Sequence, residues 1–247
     1  MQFLVNVYHW LTSGEQWHGD SGIPHLLANH VRISVSSLLV AALLAIPLGA
    51  VLGHKRIGGI VAINVANVGR AIPIYALLVL MVQIFGIASP TGFGWTGSFS
   101  AFVALVLLGI PPMLTNTYVA VRTVGEDLVD AARGMGLSDG EVLRRVELPV
   151  AMPLIMAGVR TATVGIVATA TLASFTGVDT LATPIYIGVN TGDHVAIFGG
   201  AILVALLAVV ADVVLVCVQH VAVSPGLRPR SGVRPRVTTH DRRAPKP

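Results

Sequence analysis

The sequence predicts an all-α, polytopic membrane protein with about five transmembrane helices. Three observations carry this. The 247 residues are 54% hydrophobic with a mean hydropathy of +0.78, more apolar surface than a water-soluble domain can hide. The apolar runs reach about 20 residues, enough to cross a bilayer as helix, and they lack the alternation of barrel strands. The chain is only 11% charged, yet Glu126 to Pro149 (EDLVDAARGMGLSDGEVLRRVELP) holds nine Asp, Glu or Arg. Such an island must lie outside the hydrocarbon.

Residues 1–25 contain no Lys or Arg and lack the basic start of a secretory signal. Phe3, Leu4, Val7, Tyr8 and Leu11 fall at helical spacing, and Trp10 and Trp17 suit an interface. This segment is expected as a short helix on the outer surface. The membrane domain follows over 26–222. Its first span is expected at 29–53, with Pro47 and a Gly49-x-x-x-Gly53 pair that allows close helix contact. His54-Lys55-Arg56 begin a basic loop. A second apolar region, 58–86, is too long for one straight span. Asn64, Asn67, Gly69, Arg70 and Pro73 crowd its middle, so a break near 69–73 is expected. Arginine inside a span costs about 2.5–3.5 kcal/mol on insertion scales, so Arg70 should face protein or water.

Residues 87–98 read as an outer loop. The third span, 99–121, contains Pro111-Pro112, which should kink it, followed by Thr115-Asn116-Thr117-Tyr118. The fourth, 150–175, holds Arg160 about 16 Å from its start at 1.5 Å per residue, together with Thr161, Thr163, Thr169, Thr171 and Ser174. Residues 176–193 read as another outer loop. The fifth span, 195–218, holds Asp212 at a depth similar to that of Arg160. Opposite charges at one depth lower each other's insertion cost, so the two are expected to pair. The tail, 223–247, carries seven Lys or Arg, one Asp and five Pro. It is expected to be disordered and cytoplasmic, with a charge that attracts anionic membrane lipids.

The charged island, within a loop over 123–149, has its own order. Asp127 to Arg133 reads as a helix with Leu128, Val129 and Ala132 on one side. Gly134 and Gly136 supply a turn. Ser138 and Glu141 have capping-box spacing. The second helix should run to about Glu147 on a stripe of Val142, Leu143 and Val146, and Leu148-Pro149 should end it.

This island resembles the "EAA" coupling loop of bacterial ABC-importer permeases: Asp130-Ala131-Ala132, three residues, Gly136, nine residues, Val146, one residue, Leu148-Pro149. Aspartate replaces the leading glutamate. The resemblance implies a permease of the binding-protein-dependent, MetI-like fold, with Asp130, Ala131, Ala132, Gly136, Leu137, Val146 and Pro149 meeting an ATPase. The wording Asn116-Thr117-Tyr118, Arg144-Arg145-Val-Glu-Leu-Pro149, Ala157-Gly158-Val159-Arg160-Thr161 and Thr171-Leu172-Ala173-Ser174-Phe175 is similar to permeases for glycine betaine, choline, carnitine or proline. By that likeness Asn67, Arg70, Pro73, Asn116, Tyr118, Thr171 and Phe175 are candidates for the solute path. Implied partners are a cytoplasmic ABC ATPase, an extracytoplasmic solute-binding protein, and a second permease copy or sister permease. ATP and Mg would bind in the ATPase and no cofactor in this chain.

Charge counts bear on topology independently. With the N-terminus outside, the inner loops hold Lys55, Arg56, Arg122, Arg133, Arg144, Arg145 and the basic tail, and the outer loops hold no Lys or Arg. The island then faces the cytoplasm. The sequence has no phosphate-binding Gly-x-x-x-x-Gly-Lys-Ser/Thr, no His-Glu-x-x-His and no Gly-x-Ser-x-Gly. One cysteine, Cys217, excludes an internal disulfide. A catalytic role, a metal centre and nucleic-acid binding are not expected. Two alternatives stay open: an ABC permease for an amino acid or other small solute, and an ATP-independent secondary transporter or channel. The latter favours inverted repeats or a carboxylate relay, neither of which the sequence displays.

Overall fold

A computed structural model describes residues 1–19, 21–59, 64, 69, 71–85 and 99–222. Its helices are α1 (Gln2–Thr12), α2 (Ile23–His54), α3 (Ile74–Phe85), α4 (Phe99–Arg122), α5 (Glu126–Gly134), α6 (Asp139–Val142), α7 (Leu148–Thr169), α8 (Thr183–Thr191) and α9 (His194–Ala222). No strand occurs among the described residues. Four stretches are long and apolar enough to cross a membrane: Ile23–His54, Phe99–Arg122, Asp139–Thr176 and His194–His220. Helix α3 is apolar but only 12 residues long. The first part of the expected second span, with Asn67 and Arg70, falls outside the described residues, as does the tail from 223.

Helix α4 is the centre of the bundle, flanked by α2, α3 and α7. Three layers of small and aliphatic side chains fill it from end to end. Ile33, Leu105 and Ile166 meet in the first, Ala41, Met113 and Ala162 in the second, and Ala50, Val121 and Ile155 in the third. The order makes α2 and α4 parallel and α7 antiparallel to both. Lipid supplies no hydrophobic drive between helices, so contact rests on close packing over small residues. The Gly49-x-x-x-Gly53 face does this. A Cβ on Gly49 would sit 2.8 Å from the Leu114 carbonyl oxygen, and one on Gly53 2.8 Å from that of Tyr118. Gly53→Leu should therefore separate α2 from α4 at a cost of about 1–3 kcal/mol. The expected result is a clear fall in melting temperature in detergent. Gly140→Ala, with open space around it, should leave melting at or above the original value.

Two expectations need correction. Pro149 does not end the second helix of the island. Asp139–Val142, a π-helical turn over Leu143–Glu147 and α7 form one continuous run to Thr176. The Leu148 N–H bonds the Leu143 carbonyl five residues back. This wider turn relieves the crowding that proline imposes on an α-helix. Residues 176–193 are not simply loop, because α8 occupies Thr183–Thr191. Pro184 lies in its first turn and Gly192, at φ +77°, ends it. The Pro111-Pro112 pair lies inside α4, which continues past it to Arg122. At the N-terminus, α1 packs on α9: Phe3 meets Phe198 edge to face at 5.0 Å, and Trp10 joins Ile23, Leu26 and Leu181.

Candidate functional site

The charged island folds as a helix–turn–helix with a miniature core. Val124, Val129, Ala132 and Val142 are buried together, with Leu137, Val146 and Val150 packed on them. Glu126 and Asp127 lie in the first turn of α5 and Arg133 in its last, the arrangement that complements the helix dipole. The turn itself is a Schellman motif. The Leu137 N–H bonds the Ala132 carbonyl at 3.3 Å and the Gly136 N–H bonds that of Arg133 at 2.9 Å. Gly136 sits at φ +87°, where side chains with a Cβ are strained.

That geometry accounts for the motif's spacing. Ala132 supplies the accepting carbonyl and a side chain small enough for the core. Gly136 reverses the chain. Leu137 folds back onto the cluster, and Val146 closes it from the far helix. Pro149 follows the π turn. Asp130 and Ala131 are exposed on the other side of α5.

Leu128 corrects the sequence reading. It lies outward, 46% exposed, and Met135 is 75% exposed. Leu128, Ala131 and Met135 stand at i, i+3 and i+7, so α5 carries a second, outward apolar stripe beside Asp127 and Asp130. On a nine-residue helix the sequence offers two faces, and only the position of the bundle decides which is buried.

Ion pairs brace the pair of helices. Arg133 Nη2 and Nε donate to Asp139 Oδ1 at 3.1 and 3.3 Å. Arg145 pairs with Glu141 at 3.3 Å. Ser138 donates to Glu141 Oε2 from its N–H at 3.1 Å and from its hydroxyl at 2.9 Å. These bonds, and then Arg145, hold the Glu141 carboxyl below the ordinary glutamate range. A depressed carboxyl adds stability above its unfolded pKa and loses it as pH falls through the folded value. Acidification from neutral to below the ordinary glutamate range should therefore lower the protection factors of the α6 amides, taken against their intrinsic exchange rates at each pH. Glu141→Gln should flatten that pH dependence.

Two further contacts tie the island to α2. Arg56 Nη1 pairs with Glu126. His54 Nδ1 lies 2.6 Å from Glu147 Oε2, with Glu147 only 5% exposed at the last position of the π turn. The sequence held no local signal for a contact across 93 residues. A cleft of about 720 Å³ opens between the end of α2 and the island, lined by Lys55, Asp130, Arg133 and Asp139 among others.

The remaining candidates separate into two groups. Pro73 lines a groove of about 470 Å³ with Gly69, Pro111, Pro112, Thr161, Gly165 and Thr169. Phe175 is 55% exposed and meets both Tyr75 and Tyr186. Thr171 bonds its own helix at the Ala168 carbonyl. Asn116 and Tyr118 make packing contacts between helices. Asn116 donates to the Pro112 carbonyl at 2.7 Å and touches Gly158, and Tyr118 is buried beside Gly53 and Gly59. Arg160 and Asp212 meet: Nε and Nη2 donate to Oδ1 at 3.0 and 2.9 Å, and Nη2 to Oδ2 at 2.9 Å. No group of three or more metal-ligating side chains occurs among the described residues.

Residues 45–222 match the family model described as "Binding-protein-dependent transport system inner membrane component". The chain belongs to this family. The match contains the whole island, the groove and the Arg160–Asp212 pair. Among similar curated permeases is the choline transport system permease protein OpuBB of Bacillus subtilis, 36% identical over 199 residues, covering 81% of this chain and 88% of that one. The glycine betaine/carnitine/choline permease OpuCB of the same organism is 34% identical with the same coverage. A carnitine transport permease, OpuCD of Listeria monocytogenes, is 35% identical over 77% of this chain and 82% of its own. In fold, the permease resembles a chain of the MetNI methionine ABC transporter in an inward-facing conformation. The TM-score is 0.67 at 19% identity, over 82% of this chain and 96% of that one. The family match makes the chain a membrane component of a binding-protein-dependent transport system.

Proposed function

We propose that this chain is the permease subunit of an ABC importer that carries quaternary ammonium osmoprotectants such as choline, glycine betaine and carnitine by ATP-driven alternating access. The observation that carries the coupling half is the outward stripe of Leu128, Ala131 and Met135. It lies on a helix outside the spans, braced from behind by its own core. An exposed apolar stripe with acidic neighbours is a docking face for a partner. The partner is the cytoplasmic ATPase, which supplies ATP and Mg chemistry that this chain has no loop to hold. Movement of α5 passes through the miniature core and the His54–Glu147 contact to α7 and α2.

The solute half is supported by the curated relatives, whose names specify choline, carnitine and glycine betaine. An extracytoplasmic binding protein delivers the solute. One coupling loop per chain calls for a second permease copy or a sister permease beside a pair of ATPases. The positive-inside bias puts the N-terminus outside and the C-terminus in the cytoplasm. Uptake of labelled choline into proteoliposomes holding the reconstituted importer tests the proposal. Uptake should require external binding protein and internal ATP. Uptake that persists with an inactive ATPase would turn the assignment to a secondary transporter, and binding protein that accepts only amino acids would move the cargo.

A further inference from the structure

Choline, glycine betaine and carnitine share a quaternary ammonium group. This cation has no N–H to donate, so it cannot be held by ordinary hydrogen bonds. A buried path must offer it carboxylates or aromatic faces. The groove itself offers no carboxylate. The chain has 12 Asp or Glu, and none lies between His54 and Gly125 or between Leu148 and Val178. Asp212 does lie in a span, but both its oxygens accept from Arg160, so the pair offers little net negative charge. The groove beside α7 is lined by Gly69, Pro73, Pro111, Thr161, Gly165 and Thr169 among others, none of them charged. Its 470 Å³ is within the usual range of about 300–1,000 Å³ for small-molecule pockets.

Aromatic faces are present beside that groove. Tyr75 follows the lining residues Pro73 and Ile74, and Phe175 follows the lining Thr169 across a short 3₁₀ segment, Ala170–Thr176. Phe175 lies 6.1 Å from Tyr75 at 83°, and 5.1 Å from Tyr186 of α8 at 77°. Phe175 thus meets a ring from each of two other elements nearly at right angles. The three rings remain open, at 54%, 55% and 40% exposure. Perpendicular rings form a corner, and a ring face carries the negative end of its quadrupole. We propose that Tyr75, Phe175 and Tyr186 form a π-faced station that receives the trimethylammonium group of the solute at the end of the groove remote from the coupling helices. This rests on the osmoprotectant reading above and adds the residues that recognise the cation.

The test replaces Phe175 by mono-, di- and trifluorophenylalanine in the full importer with its ATPase and binding protein. Fluorine weakens the ring's negative face while nearly keeping its shape. Choline uptake at saturating binding protein is measured per inserted copy. The expected result is a stepwise fall reaching about three- to tenfold at trifluorophenylalanine. Tyr75→Phe, which keeps the face, should stay within about twofold, and Tyr75→Leu should fall about as far as the trifluoro variant. A flat fluorination series, as for rings that only meet lipid, overturns the station while leaving the solute assignment intact. An unsubstituted importer that moves no quaternary ammonium solute at all overturns the assignment itself, and the station with it.

Discussion

Gly136→Val is expected to cut ATP-driven uptake at least tenfold while the protein still inserts into the membrane in near-normal amount. The position is open, with no atom within 4 Å of a built Cβ. Any effect is therefore conformational rather than a clash. At φ +87° a β-branched residue is strained by about 1–3 kcal/mol. The cheapest relief is to leave the left-handed region, which breaks the two Schellman bonds from Gly136 and Leu137. Leu137 then leaves the miniature core, and α5 is no longer held at a fixed angle to the run that begins at Asp139. A tether remains but a lever does not. ATP hydrolysis should continue in the assembled complex, uncoupled from transport. Asparagine tolerates the left-handed region better than valine, so Gly136→Asn should keep a third or more of the uptake. Equal loss in both variants would remove backbone conformation as the cause.

The parts legible in the sequence were those written in local chemistry. The Ala132, Gly136 and Leu137 spacing is a Schellman turn, and Ser138 with Glu141 marks the next helix start. The long apolar runs gave four of the spans directly. Helix α8 was legible too, with Thr183-Pro184 at its start and Gly192 at its end, yet its nine-residue length among turn residues hid it. The rest depended on how elements meet. The face of α5 that carries Leu128 and Met135 outward follows from where the bundle lies, not from periodicity. The π turn before Pro149 obeys proline's limits in a way that rules for α-helices do not anticipate. The contact of His54 with Glu147 and the gathering of Tyr75, Phe175 and Tyr186 exist only once α2, α3, α7 and α8 are packed. Asn116 and Tyr118 stand out in the sequence because they are polar in a span. The fold uses them where α4 touches Gly158 and Gly53.

Neutralising one partner of the Arg160–Asp212 pair is expected to reduce folded, inserted permease at least tenfold. The swap Arg160→Asp with Asp212→Arg should recover most of it. Both residues lie well inside α7 and α9, and the guanidinium spans both carboxylate oxygens at 2.9–3.0 Å. Bidentate pairs of this kind are among the stronger polar contacts. Asp212→Asn leaves Arg160 unmatched in a span, where an arginine costs about 2.5–3.5 kcal/mol on insertion scales. Even the lower figure is more than tenfold in an equilibrium. The pair is about a third exposed within this chain, so part of that cost is relieved where water or headgroups reach it. The loss should thus lie nearer tenfold than the several-hundredfold of full burial. Arg160→Leu with Asp212→Leu is the decisive companion. A purely structural pair can be replaced by apolar residues at little loss, or some gain, in folded protein. If the double leucine variant folds normally but transports poorly, the pair acts in the transport cycle as well as in assembly. If the charge swap is as depleted as either single variant, α7 and α9 are not held by this contact, and their packing must rest on the apolar faces alone.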